Sequence, residues 1–245
     1  MARPLRVYVA HLEPGRRELA ADAAHYVGDV HRLRAGAAFV AFDPEAALEA
    51  DARVIAVERR RVVCELETPR PATRLGRLNT ELLQAVGKGE KLEEVVRAAT
   101  ALGARSITMV AAERSVARPD ESRRTRLRGI AIEAARQSGR GDLPALAGPE
   151  PLERALTAYA ERRMLKLCLD PRAEMPLVTR IADHPVEASA ALLVGPEGGL
   201  SPAEIELAVA SGFERVALGP LTLRTELAAV IALGCFAARL AGDPA

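Results

Sequence analysis

Apolar and polar positions follow two successive patterns along the chain. Up to about residue 69, short β-compatible runs at residues 5–10, 38–42, 52–58 and 61–67 are separated by turn residues, with one helical stretch near 19–33. The segment Thr68-Pro69-Arg70-Pro71-Ala72 then interrupts every periodicity, because proline fixes its own backbone and restricts the residue before it. This predicts a small β-rich domain over residues 1–69 and a second domain over 70–245. Beyond the break, apolar runs at 106–112, 165–169, 190–194 and 215–218 alternate with helical patterns at 90–102, 121–138, 151–162, 202–211 and 224–240. Such alternation predicts an α/β domain with a mainly parallel sheet. Ligands of open α/β sheets collect beyond the carboxyl ends of strands, so the loops after Val194 and Leu218 are where chemistry is expected.

The first of these loops reads Gly195-Pro196-Glu197-Gly198-Gly199-Leu200, followed by Ser201-Pro202-Ala203-Glu204. Ser201 is placed as an N-cap, Pro202 as the first helical residue and Glu204 as the partner that closes a capping box. The glycines therefore occupy a tight turn between strand and helix, where they let a ligand approach backbone amides and carbonyls that suit an adenine or a ribose. The GxGxxG spacing of a dinucleotide fingerprint is absent, and no Lys-Ser or Lys-Thr follows as a P-loop requires. In the second loop Gly219-Pro220 ends the strand, and Arg224 and Glu226 stand at the start of an alanine-rich helix. Spacing alone leaves that pair open between a solvated helix start and a functional role.

Composition narrows the picture. At 245 residues the chain can bury a substantial core, and 49% apolar with 27% charged residues is the ordinary globular mix, which argues against wholesale disorder. No run approaches the ~20 apolar residues that span a bilayer, so the expected location is the cytoplasm. Cys64, Cys168 and Cys235 lie far apart without metal-site spacing and read as small core residues, and the four histidines are scattered, so no metal is expected. Net charge is only +1, yet residues 114–140 hold eight arginines against Asp120, Glu121 and Glu133. Arginine binds phosphate bidentately and stacks on bases, so this stretch is either an RNA surface or a solvated helix.

Here a resemblance becomes specific. GPEGGLSPAE followed by LGPLTLRTELAA resembles the cofactor-binding signature of the SPOUT methyltransferases, and in particular the 16S ribosomal RNA uracil-N3 methyltransferase family. GKGEKLEEVVRAATALGA, AAERSV and EAARQSGR are similar to that family in order and spacing, and His25 with the run from Val30 to Gly36 resembles its N-terminal domain. Ala101, Leu227 and Asp29 depart from the residues usual there, and the loop after Phe42 is shorter, which bears on RNA docking more than on the cofactor loops.

The resemblance implies a PUA-like β-barrel followed by an α/β domain with a C-terminal trefoil knot at about 190–235, in a homodimer. It implies methyl transfer from S-adenosylmethionine to N3 of one uridine of 16S ribosomal RNA within the small subunit. The backbone of Leu193, Gly195, Gly199, Leu218, Gly219 and Leu223 would hold the cofactor. Arg224 would stabilise the uridine anion, Glu226 would orient Arg224, and Glu197 would face cofactor or substrate; no residue is assigned as general base. With 3% aromatic residues and no tryptophan, recognition is expected to rest on arginines, with Arg32, Arg34, Arg114, Arg136 and Arg140 as RNA contacts. The alternatives are a SPOUT enzyme that methylates ribose or another base, and a non-catalytic RNA-binding assembly factor.

Overall fold

A computed structural model describes residues 4–59, 61–87, 91–115, 121–185 and 188–242. Lys88, Gly89 and Glu90 of the GKGEK motif, and Val116 of AAERSV, lie outside the described residues. The chain divides into two compact units, Met1–Gly76 with Ile132–Leu143, and Arg77–Ala131 with Pro144–Ala245.

The first unit is built on a six-stranded sheet. Strands β1 (Arg6–Tyr8), β2 (Gly15–Glu18), β3 (Ala38–Asp43), β4 (Leu48–Glu58), β5 (Arg61–Leu66) and β6 (Arg70–Pro71) are ordered β1-β3-β4-β5-β2, with β6 paired to β4. Only β1 and β3 run parallel; the other pairs are antiparallel. Alternation along the strands buries Val7, Phe39, Ala41, Val54, Val62 and Cys64 in one cluster. The expected helix near 19–33 is a short α1 (Ala21–His25) continued by a π-helical turn, Tyr26–Val30. This unit runs past Pro69, because β6 adds to the free side of β4 and Arg74 O accepts from Gly141 N at 2.5 Å. Residues 132–143 join it through Gly76 N, which donates to Asp142 at 2.7 Å, and through the Arg136 guanidinium, which lies 3.9 Å over the Tyr26 ring.

In the second unit β7 (Thr80–Ala85), β8 (Ser106–Ala111), β9 (Ala145–Pro151), β10 (Leu165–Leu169), β11 (Ala190–Val194) and β12 (Glu214–Val216) form one parallel sheet, ordered β12-β10-β11-β7-β8-β9. Helices α2 (Lys91–Leu102), α4 (Leu152–Ala160), α5 (Leu177–Ala182), α6 (Pro202–Ala210) and α7 (Thr225–Gly242) accompany it, and α3 (Glu121–Ser138), which stands between β8 and β9 in the chain, belongs to the first unit from Ile132 on. On one face α4 and α6 close over Leu83, Val110, Cys168, Leu193 and Phe213; on the other, α7 packs on β7, β11 and α2. Lys166, 8% exposed, stands among the helix ends on β10, and its Nζ donates to the carbonyls of Tyr159, Ala160 and Ser211. A cation there satisfies terminal carbonyls of both α4 and α6. No helix among the described residues is long and apolar enough to cross a membrane.

Candidate functional site

The sheet reverses direction at its centre. Strands β7, β8 and β9 extend one way, whereas β10 is laid down on the other side and β11 enters between β10 and β7. The loops leaving β10, β11 and β12 consequently open on the same edge of the sheet, the place where parallel sheets bind ligands. A cavity of about 630 Å³ lies there, lined by Leu169, Asp170, the whole glycine loop from Gly195 to Gly199, Val216, Leu218, Gly219 and the segment 221–225. That volume falls in the range of small-molecule sites.

The glycine loop is shaped by its sequence. Ser201 Oγ accepts from Glu204 N while the Glu204 carboxylate accepts from Ser201 N at 2.8 Å, completing the expected capping box at the start of α6. The other Glu204 oxygen accepts from Glu113 N at 2.7 Å, and Arg114 donates to Gly198 O at 2.6 Å, so the loop after β8 holds the glycine loop from outside. Glycine is required at two positions: Gly199 has φ +68°, and a Cβ on Gly195 would lie 3.0 Å from Leu200 N.

Two residues that sequence reasoning passed over tie this loop to α7. Thr225 Oγ1 donates to Gly195 O at 2.6 Å, and Gln84 Nε2 donates to Thr225 Oγ1 at 3.0 Å. The signal for Gln84 was faint, because β7 reads Thr-Glu-Leu-Leu-Gln-Ala and these residues favour helix as readily as strand.

Across the cavity Asp170, 2% exposed, accepts from Arg215 Nε at 2.9 Å and from Arg172 N and Nε at 3.0 and 3.2 Å. Burial pushes its carboxyl up, but the Arg172 and Arg215 hydrogen bonds outweigh that and hold it below the ordinary carboxylate value. A carboxylate so clamped is a poor base. Glu197 also lines the cavity and pairs with Lys91 at 2.9 Å.

Most expected residues meet at this cavity: Gly195, Glu197, Gly199, Leu218, Gly219, Leu223 and Arg224 all line it. Arg224 is exposed, and its side chain has no hydrogen-bond or ion-pair partner among the described residues. Leu193 does not line the cavity; its side chain is in the core. Glu226 does not line the cavity, and among the described residues it makes no bond to Arg224 and its buried Oε2 has no partner, a correction to the expected pairing. Side chains two apart at a helix start point away from each other.

The arginines need sorting as well. Arg32 and Arg34 are exposed in the first unit, and Arg114 is exposed beside the glycine loop. Arg140 is 5% exposed and bidentate to Asp142 at 2.9 and 3.0 Å, and Arg136 is paired with Glu133 beneath the Tyr26 ring. Both brace the first unit instead of offering a free guanidinium to RNA, because buried cations require a fixed partner. Cys64 and Cys168 are buried as expected, whereas Cys235 is only half-buried. No group of three or more metal-ligating side chains occurs among the described residues.

A model of the RNA methyltransferase domain matches residues 75–237. The ribosomal RNA small subunit methyltransferase E of Synechocystis is 33% identical over 85% of this chain and 68% of its own length. The protein of that name from Bacillus subtilis is 26% identical over 86% of each chain. Among solved structures, a Legionella pneumophila methyltransferase with bound S-adenosylmethionine superposes with a TM-score of 0.84 at 32% identity, covering 97% of this chain and 98% of that one. A ribosomal RNA small subunit methyltransferase E from Neisseria gonorrhoeae, also bound to S-adenosylmethionine, gives 0.83 at 25% identity over 97% and 98%.

Proposed function

Since this chain belongs to the RNA methyltransferase family, among the relatives of ribosomal RNA small subunit methyltransferase E, we propose that it methylates N3 of one uridine in 16S ribosomal RNA. The observation that carries this reading is a cavity in which an open glycine-loop backbone and an arginine whose side chain has no partner among the described residues face the same space. The residues fit S-adenosylmethionine: Leu169, Val216, Leu218 and Leu223 offer an apolar wall, and Gly199, at which a side chain would occupy open space, leaves room for close backbone approach. When bound, that cofactor supplies an electrophilic methyl group. The backbone of Gly195, Gly199, Leu218, Gly219 and Leu223, with that of Leu193 behind them, would hold it.

The chain's own task is to make N3 nucleophilic. Loss of the N3 proton leaves negative charge on the ring and its carbonyl oxygens, and a fixed guanidinium stabilises that charge while lowering the pKa of the N–H. Arg224 supplies it, being the cavity-lining arginine that owes its charge to no other group among the described residues. Glu197, also in the cavity wall, would face cofactor or substrate. Because N3 is hidden in a base pair, the target uridine must be unpaired or flipped out.

We read the segment at about 190–235 as a trefoil knot, supported by the entry of β11 between β7 and β10 and by α7 packing on β7 and β11. The first unit is read as a PUA-like barrel that presents Arg32 and Arg34 to RNA. A homodimer through α7 is supported by Leu227, a large apolar side chain of that helix that is 46% exposed. With a ribosomal RNA substrate, the protein would work in the cytoplasm.

Mass-spectrometric nucleoside analysis tests the proposal on small-subunit RNA, naked and assembled, from cells lacking the modification. Incubation with protein and S-adenosylmethionine should yield 3-methyluridine. A 2′-O-methyl nucleoside or another methylated base would overturn the N3 assignment, and cofactor binding without methylation of either substrate would indicate a non-catalytic assembly factor.

A further inference from the structure

Gln84 is a buried polar residue that packing alone does not explain. It lies at the carboxyl end of β7, whose six residues are all buried, and is itself 2% exposed. On the same sheet face, two residues earlier, the chain places Leu82, with no polar group to satisfy. Gln84 Nε2 donates to Thr225 Oγ1 and, at 3.1 Å, to Ala85 O, while Gln84 Oε1 is buried with no partner among the described residues. An orphaned acceptor of this kind costs stability. What the residue contributes at this position is therefore its N–H groups.

The direction of the chain of hydrogen bonds follows from its end. Gly195 O can only accept, so the Thr225 hydroxyl proton points to it and the hydroxyl lone pair faces the Gln84 amide. The opposite amide orientation would set Gln84 oxygen against Ala85 O. Gly195 belongs to the glycine loop, and Thr225 directly follows Arg224 in the other cavity loop.

We propose that Gln84 and Thr225 are positioning residues that latch the glycine loop to the first turn of α7, so that the cofactor-holding backbone and Arg224 keep one mutual placement. The inference rests on the functional reading above. Gln84 does not line the cavity and acts only through Thr225; Thr225 acts through Gly195 O and through the backbone that carries Arg224. The loops that follow β11 and β12 are thereby fixed by two side chains, one of them from distant β7, and a small misplacement of either loop is enough to slow a reaction that depends on orientation.

The test compares thermal stability, S-adenosylmethionine binding by calorimetry, and methylation kinetics for Gln84→Met, Thr225→Val and Thr225→Ser, with Arg224→Ala alone and combined with Thr225→Val. Gln84→Met removes the orphaned oxygen along with the donors, so it should keep or raise the melting temperature while weakening cofactor binding roughly fivefold and lowering kcat. Thr225→Val should weaken binding roughly tenfold, and Thr225→Ser should stay within about twofold of the parent. Combined with Arg224→Ala, Thr225→Val should lower kcat by much less than it does alone. Parent-like binding and kcat in Gln84→Met, a Thr225→Ser as impaired as Thr225→Val, or full additivity in the double variant would each overturn the latch. An active parent beside unchanged variants overturns the latch alone, whereas an inactive parent overturns the functional reading and the latch with it.

Discussion

Arg224 differs from the other arginines at the cavity in what it lacks. Arg114 is committed to Gly198 O, and Arg172 and Arg215 share Asp170, while the Arg224 side chain has no partner among the described residues. Under the functional reading, Arg224→Ala should lower kcat by roughly a hundredfold or more and change cofactor affinity little. Its kcat should also require a higher pH, since losing a nearby cation raises the pKa of the N3 proton; an unaltered pH profile would remove Arg224 from the chemistry. Asp170 makes a separate prediction. Its folded-state carboxyl is held below the ordinary value, so it stabilises the fold above the usual carboxylate pKa of about 3.9, and that contribution disappears as pH falls through the depressed value. Discounted for the exposure of both arginines, Asp170→Asn should cost about 1 kcal/mol in urea unfolding at pH 7, with the gap to the parent closing in strong acid. Neither pairing was legible in the sequence. Arg114, Arg140 and Arg224 are the same letter, and only the fold decides that one is tied to a carbonyl, one is buried against Asp142 and one has no side-chain partner among the described residues.

At the scale of elements, what could be read locally was read well. Strands β10 and β11 and helix α3 have the expected bounds, because each is a continuous run with clear breaks at both ends. The capping box of α6 was visible because all its determinants lie within four residues. Replacing Ser201 by Ala should cost about 1 kcal/mol of stability, measured by chemical denaturation, and should weaken cofactor binding because the glycine loop ends at that cap. The elements that escaped notice are those specified by neighbours. Strand β7 is central to the sheet, yet its Glu81 and Gln84 disguise it; Glu81 is tolerated there only because Tyr159 Oη and Arg162 donate to it at 2.6 to 2.8 Å. Strand β9 carries Gly148 and Pro149, which argue against a strand on propensity alone. The strand order, and with it the meeting of the two loops that were picked out, depends on contacts across more than a hundred residues of chain, such as Gln84 with Thr225.

For the molecule as a whole, the dimer proposed through α7 has a direct check: Leu227→Glu should halve the mass measured by light scattering at micromolar concentration, and an unchanged mass would dismiss that interface. The feature with the widest reach is the late entry of β11. Strand β10 pairs only with β11 and β12, and β7 keeps one side open for β11, so both await segments made after them. As the chain leaves the ribosome, the first three strands of this sheet can assemble while an apolar edge of β7 stays bare and β10 has nothing to join. Unpaired edges of this kind are where chains aggregate, and distant pairings are slow to form. A product that stops short of Ala190 would carry an unfinished sheet with no cofactor loop, leaving proteolysis or insolubility as its fate.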